Sequence, residues 1–424
     1  TKYIAICLVM IGTGTRGISQ HTSSEKYSNI LGQILRLQFD TADKMLNEFA
    51  GEPGTGPEII YLRNYLEFLT VLMAGQRAVY EAYLSDVRER LDAIQFGYDQ
   101  FPERLPMISA IHLQSSFLNA LYGENIKAAR SFYVAKRYFR QAESARPGEP
   151  FIEKLAGLIN VMAGSAPAEY HWLMRVFGIR GDIQLGLDQL LEYHGGTAGQ
   201  DRLESCLFLL YANQITGQGM VEEDEDCGAE LTLHRYFHAY HALKSGQSQE
   251  VIGLLDAWKQ AEGEMPLDYL DLLLGEALLN SISPGAGNQL ILFLKNTRGE
   301  HYVKTAWHKL SWHHFLAGDT LSYQQARDNV LIKGNLILDA DKQAYREAGE
   351  DLPPNMSLLR SRLYFDGGYY KKSLEALQQM MQGELTSKKD SLEYTYRSAR
   401  IADRLGEQDE AISGYQKVMG AGTE

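Results

Sequence analysis

From Glu25 onward, apolar side chains recur three and four positions apart, and that spacing limits the chain to helices. In YLRNYLEFLTVLM (61–73), ISAIHLQSSFLNALYG (108–123) and ESCLFLLYANQI (204–215) the apolar positions gather on one side of a 3.6-residue turn, whereas a half-buried strand would alternate. The breaks between such stretches are short and rich in turn residues: GEPGTGP (51–57), RPGEP (146–150), GGTAGQD (195–201), EEDEDCG (222–228), SPGAG (283–287) and EDLPPN (350–355). None is long enough for a flexible interdomain linker. The spacing therefore predicts an all-α protein built from helical hairpins.

One offset recurs within these hairpins. A turn residue is followed five positions later by a small residue, and four after that by a bulky apolar one. It occurs as Gly123, Ala128, Phe132; as Gly181, Gly186, Leu190; as Gly368, Ser373, Leu377; and as Gly406, Ala411, Tyr415. Weaker copies are Leu37, Ala42, Leu46 and Gly246, Val251, Leu255. Seven residues before the turn stand Ser116, Ala239, Ser361 and Ala399, all small. The turn residue ends one helix, the small residues let two helices touch, and the bulky residue fills the space between hairpins.

This spacing resembles the tetratricopeptide repeat, most clearly in LYFDGGYYKKSLEAL (363–377) and ADRLGEQDEAISGYQKV (402–418). The last two copies lie 38 residues apart, against a period of about 34 for that repeat. The segment VFGIRGDIQLGLDQLLE (176–192), with LINVMAGSAPAEYHWLM before it, is similar to the tetratricopeptide repeat protein 39 and inclusion-body-clearance family. The matching residues are Phe177, Gly178, Gly181, Asp182, Gly186 and Leu187. The resemblance implies an α-solenoid of stacked antiparallel hairpins with degenerate TPR-like repeats and no catalytic residues to carry over. The family is cytoplasmic, and the start of this chain departs from it.

That start carries Lys2, an apolar run over 3–11, and the small residues Gly17 and Ser19 at the -3 and -1 positions of a cleavage site before Gln20. Residues 1–19 are read as a secretory signal, which implies an exported, periplasmic or extracytoplasmic protein; the alternative is cytoplasmic. The same residues spell Gly12-x-Gly14-x-x-Gly17, with Asp40 further on, in the manner of a dinucleotide fingerprint. That site needs a helix opening on its third glycine, and ISQHTSS (18–24) is a poor helix. The remaining domains are expected as a degenerate hairpin region over 25–350 and a TPR-like pair over 351–420.

Composition narrows the partners. A formal charge of -13 in 424 residues disfavours nucleic acid or an anionic membrane as the main ligand. Outside the N-terminus no stretch approaches the ~18 apolar residues of a membrane span. Cys7, Cys206 and Cys227 are too few for a disulfide framework and lack zinc-type CxxC spacing; Cys206 and Cys227 can pair in an oxidising compartment, though nothing requires it.

Chemistry-bearing clusters were weighed against packing. His234, His238 and His241 lie at i, i+4 and i+7 and can share a helix face, the basis of a metalloprotein alternative. In the repeat register they fall where a first helix packs on its neighbours. The cluster His308, His313 and His314 with Trp307 and Trp312 is likewise read as packing, because adjacent histidines point in different directions on a helix. The acidic run 222–226 lacks the ligand alternation of a calcium loop. Arg180-Gly181-Asp182 is read as an interhelical turn and not an adhesion motif, and no GxSxG, GxxxxGK[ST] or HExxH occurs.

In this repeat type the first helix of each hairpin lines a concave groove. Its positions map to Tyr236, Tyr240 and Lys244 in one unit, Arg362, Phe365 and Asp366 in another, and Tyr396, Arg400 and Asp403 in the last. Tyrosine and arginine favour recognition surfaces. The sequence therefore predicts a non-catalytic scaffold or adaptor, without cofactor, that binds a protein or peptide. A helical binder of a lipid or other small apolar ligand, suggested by LDLLLGEALL (270–279), is the alternative.

Overall fold

The computed structural model describes residues 21–50, 56–99, 101, 103–216, 227–380, 385 and 387–421. The export-like segment 1–19, with Cys7 and the glycine fingerprint, and the acidic run 222–226 lie outside the described residues. Every regular element among the described residues is helical, as the apolar spacing predicts. The chain packs as two units, Thr1–Phe237 with the returns Gln260–Leu267 and Arg298–Glu300, and His238–Lys259 with Asp268–Thr297 and His301–Glu424. The residues expected as a C-terminal repeat pair, 351–420, lie within the second.

In the first unit, α1 (His21–Leu35) and α2 (Phe39–Phe49) are joined through Leu37, which takes a left-handed φ of 57°. Its carbonyl accepts from the Met265 amide at 2.8 Å, anchoring the first return. Next, α3 (Pro57–Ala74) starts on a proline, where no amide donor is missed, and ends on left-handed Gly75 before α4 (Arg77–Gly97). The Glu300 amide donates to the Gly75 carbonyl at 3.1 Å and ties down the second return. Then α5 (Arg104–Leu121) and α6 (Asn125–Ala145) form a hairpin about left-handed Gly123. Here the predicted small pair meets: Ser116 Oγ donates to the Ala128 carbonyl at 2.8 Å, and Phe132 is buried beside it.

The following hairpin departs from the expected pattern. It pairs α7 (Pro150–Gly164) with α9 (Ile183–Gly195), and a short α8 (His171–Val176) is inserted between them. The left-handed residue is Gly178, φ 62°, which closes α8. Gly181, read from sequence as the bend, instead presses on the end of α7: a Cβ there would lie 2.5 Å from Ala163 Cβ. The other two roles hold. Gly186 lies so close to α7 that a Cβ would sit 2.8 Å from the Gly157 carbonyl oxygen, and Leu190 is buried over Gly157. Asp182 caps α9 by accepting from the Leu185 amide at 3.1 Å, so the Arg-Gly-Asp tripeptide is structural in its glycine and its aspartate. The unit's last full helix is α10 (Gly199–Thr216), and the boundary between units falls within α11 (Thr232–Lys244).

The second unit continues with α12 (Ser248–Leu255), then the hairpins α13 (Tyr269–Asn280) with α14 (Ala286–Asn296) and α15 (Val303–Leu316) with α16 (Thr320–Ile332). An odd helix, α17 (Asp339–Ala348), interrupts the rhythm before α18 (Met356–Asp366) with α19 (Tyr370–Gln378) and α20 (Lys388–Leu405) with α21 (Gln408–Ala421). Side-chain oxygens of Asp319, Asn355 and Ser387 cap α16, α18 and α20. Gly246, Gly368 and Gly406 are all left-handed. Ser361 and Ser373 meet at 2.9 Å between hydroxyls, and Gly414 faces Ala399 with no room for a Cβ. The turn at Gly368 also packs on the turn at Gly246, where the Ser248 amide donates to the Gly367 carbonyl at 3.3 Å. No helix among the described residues is long and apolar enough to cross a membrane.

Candidate functional site

The nine residues mapped to a groove divide between core and surface. Tyr236, at 2% exposure, Tyr240 at 6% and Phe365 at 8% are buried and serve packing. Phe365 belongs to a core cluster with Leu358, Leu377 and Ile401. Lys244, Tyr396 and Asp403 are exposed, while Arg362, Asp366 and Arg400 are half-buried. Tyr240 and Phe365 at first-helix positions thus turn inward, and cations, Lys244 and Arg400, lie over their rings.

That arrangement repeats within the second unit. The Lys244 ammonium lies 5.2 Å from the Tyr240 ring centre, and the Arg400 guanidinium 4.1 Å from that of Phe365 and 5.6 Å from that of Tyr396. Trp312 on α15, buried against Leu279, Leu359 and Leu363, carries Lys309 and Arg362, each 4.7 Å from the ring. Cations held over aromatic faces keep their charge while covering apolar area. The result is a half-exposed surface of cations on rings.

Arg362 is fixed further by α17. Its guanidinium donates twice to Glu347, at 3.0 and 3.2 Å, and lies 3.9 Å from Asp366. Burial opposes both charges, but the bidentate geometry outweighs it: Arg362 is raised by Glu347 and Asp366, and Glu347 is driven down to about 2 by Arg362 and then His308. His308 stacks on Trp312 at 4.5 Å, and burial lowers its pKa to about 3, so it is neutral at physiological pH. Of this cluster the groove mapping located Arg362 and Asp366; His308 and Trp312 were weighed only as a histidine cluster and set aside as packing, and Glu347 was missed. The i, i+4 pair His308 and Trp312 was the available signal.

Two further clusters lie in the first unit. Lys154 and Glu204 form a fully buried ion pair at 3.0 Å, and the ammonium is ringed by Phe151, Phe208 and Tyr193 at 4.7, 5.5 and 5.6 Å. Burial lowers the Lys154 pKa and raises that of Glu204 against their mutual attraction. Sealed from solvent, the pair links α7 to α10. Nearby, Cys206 and Cys227 are joined in a disulfide, and His194 Nδ1 lies 4.0 Å from Cys206 Sγ and 2.8 Å from Ser205 Oγ. These three residues are the one group of potential ligands that converges within metal-binding reach among the described residues. The disulfide occupies both sulfurs. His234, His238 and His241 form no such group.

No family model matches the chain, and neither a curated protein nor a solved structure matches it.

Proposed function

We propose that this chain is a non-catalytic interaction protein, a degenerate TPR-like array of hairpins that holds a protein or peptide partner on the cation-and-ring surface of its second unit. The observation that carries the reading is the repeated stacking of Arg400 on Phe365 and Tyr396, and of Lys309 and Arg362 on Trp312. Arginine and aromatic residues in this arrangement give large contact area with directional donors. The array reading is supported by the small-residue contacts Ser116 with Ala128 and Ser361 with Ser373, which recur at the predicted spacing; in the last hairpin the small residue facing Ala399 is Gly414, three positions beyond the expected Ala411. The Cys206–Cys227 disulfide supports the proposed export. A mature chain starting at Gln20 or His21 would test that part directly.

The surface is tested by placing a photo-crosslinking residue at Tyr396, which is 41% exposed. Crosslinked partners are identified in the native host, with and without Arg400→Glu. A defined partner captured by the parent chain and lost with the charge reversal is the expected result. Equal capture by both chains, or none, refutes the proposal. Arg400 is the better probe, because Arg362 is tied to Glu347 and its loss disturbs packing.

A cavity of about 400 Å³ in the first unit favours a second reading, a small partly apolar ligand. Leu46, Ile59 and Ile60 supply its apolar wall, and Arg63, Asp86 and Arg90 supply polar groups. Native mass spectrometry of the chain from its host should then show a bound mass that Ile60→Trp removes; only the bare chain sinks this reading.

A further inference from the structure

Helix α6 carries an unbalanced charge. In a protein with 54 acidic and 41 basic residues, its face Tyr133, Lys136, Arg137, Arg140 follows the i, i+3, i+4, i+7 spacing that puts side chains together. Elsewhere on or beside the helix Lys127 pairs with Glu124 and Arg146 with Glu103. By contrast, Lys136, Arg137, Arg140 and the adjacent Arg180 have no carboxylate partner among the described residues. The Lys136 ammonium donates to the Arg180 carbonyl at 3.2 Å, and Arg137 lies 5.1 Å from the Tyr138 ring. Burial, then Arg140 and Arg180, lower the Lys136 pKa, as expected for a cation among cations.

These side chains surround a cavity. Tyr133, Lys136, Arg137 and Arg140 line one side, and Phe177 with left-handed Gly178, from the segment that closes α8, line the other, around about 250 Å³. The Tyr133 and Phe177 rings are 6.2 Å apart and inclined at 51°. Tyr133, Arg137 and Arg140 are exposed, so the cavity is reached from solvent. A dry cavity of about 150 Å³ accommodates benzene. This one has room for a single ring with an anionic group attached. A carboxylate brings one charge and leaves most of the cations unbalanced. A phosphate monoester brings about -1.5 to -2 and three acceptor oxygens, which arginine can meet in bidentate fashion.

We propose that the pocket between α6 and the Phe177-Gly178 turn binds a phosphate monoester, with Lys136, Arg137 and Arg140 on the phosphate and Tyr133 and Phe177 against the group that bears it. The site is separate from the partner surface of the second unit and does not depend on it. The phosphate can belong to a soluble monoester or to a lipid headgroup, and the two are told apart by the probe.

The full chain is titrated calorimetrically with phenyl phosphate, inorganic phosphate and phenol. Saturable one-to-one binding of phenyl phosphate, tighter than inorganic phosphate, is expected, with no saturation by phenol. Arg137→Ala with Arg140→Ala should weaken it about tenfold or more, the usual scale for lost charge-assisted contacts. Phe177→Ala should abolish the preference for phenyl phosphate over phosphate while leaving phosphate binding. Both sets of substitutions fall on partly exposed side chains, and unchanged helical melting will confirm folding. No saturable binding of either phosphate probe, or binding unmoved by the double substitution, overturns the proposal. Sedimentation with phosphatidylcholine vesicles, with and without phosphatidic acid, separates the sources. Capture that requires phosphatidic acid and is competed by phenyl phosphate assigns the headgroup, and phenyl phosphate binding without capture assigns a soluble monoester. Capture that phenyl phosphate does not compete refutes the pocket as the site.

Discussion

Replacing Glu347 by Gln tests how the partner surface is held in place. The carboxylate is about a quarter exposed and accepts two hydrogen bonds from Arg362 and one, at 2.7 Å, from Gln343. Its pKa falls from the ordinary 4.5 to about 2, which corresponds to about 3 kcal/mol favouring the folded, ionised form. Screening at the exposed edge trims this, so Glu347→Gln should cost about 2–3 kcal/mol at neutral pH. The sign follows from the direction of the shift. The folded pKa lies below the unfolded one, so this stability is fully present above about 4.5 and is lost as pH falls toward 2. His308 acts earlier and in the same sense: held near 3 by burial, it lets the unfolded chain bind a proton first as pH drops below 6.5. The parent protein should therefore weaken in two stages on acidification, and the variant should lack the second. Because the chain forms two units, hydrogen exchange in α15 and α18 is a better measure than a global melt. A change below about 0.5 kcal/mol in those segments at pH 7, or an unaltered slope below pH 4.5, would refute the reasoning.

Three other perturbations probe the remaining contacts. Gly368→Ala places a Cβ 2.0 Å from the Gly246 carbonyl oxygen at a φ of 82°, whereas Gly406→Ala, at 86°, meets nothing within 4 Å. The second should cost about 1–2 kcal/mol from backbone strain alone and the first clearly more; equal losses by urea denaturation would deny the turn-on-turn contact. Lys154→Met leaves the Glu204 carboxyl buried without its cation, a loss of about 3–5 kcal/mol. Burial already raises the Glu204 pKa, so the loss should grow as pH rises; a penalty independent of pH between 5 and 8 would show that Glu204 does not titrate there. Cys206→Ser opens the link across a sequence separation of 21 and should reduce stability of the first unit by about 3 kcal/mol relative to the oxidised parent. Identical exchange protection of α10 in the two proteins would exclude that contribution.

The offset of turn, small and bulky residues was legible because it records one physical requirement, two helices meeting at a fixed distance from their turn. Ser116 therefore reaches Ala128, and Ser361 reaches Ser373, each twelve residues away, without help from the rest of the chain. The same rule misplaced the bend at Gly181. An inserted helix, α8, separates α7 from α9, so that glycine retains the close approach while Gly178 takes the left-handed turn. The partner surface was only half legible for a related reason. Periodicity identifies the apolar side of one helix, but it does not show which neighbours cover the other side, so Tyr240 and Phe365 were expected in a groove and are buried. Arg362 was found by position, yet its carboxylate lies on the odd helix α17, outside the hairpin rhythm. Lys154 and Glu204 were detectable in principle, since each is a charge set inside an apolar run, and such a charge requires a buried partner. Their separation of 50 residues hid which partner it was. The basic face of α6 could be read from helical spacing alone, but a face is not a pocket. The wall that makes it one comes from Phe177 and Gly178, and only the inserted helix brings those residues alongside. The same α8 insertion that displaces the bend from Gly181 thus creates the concavity in which three unpaired cations, Lys136, Arg137 and Arg140, can act together.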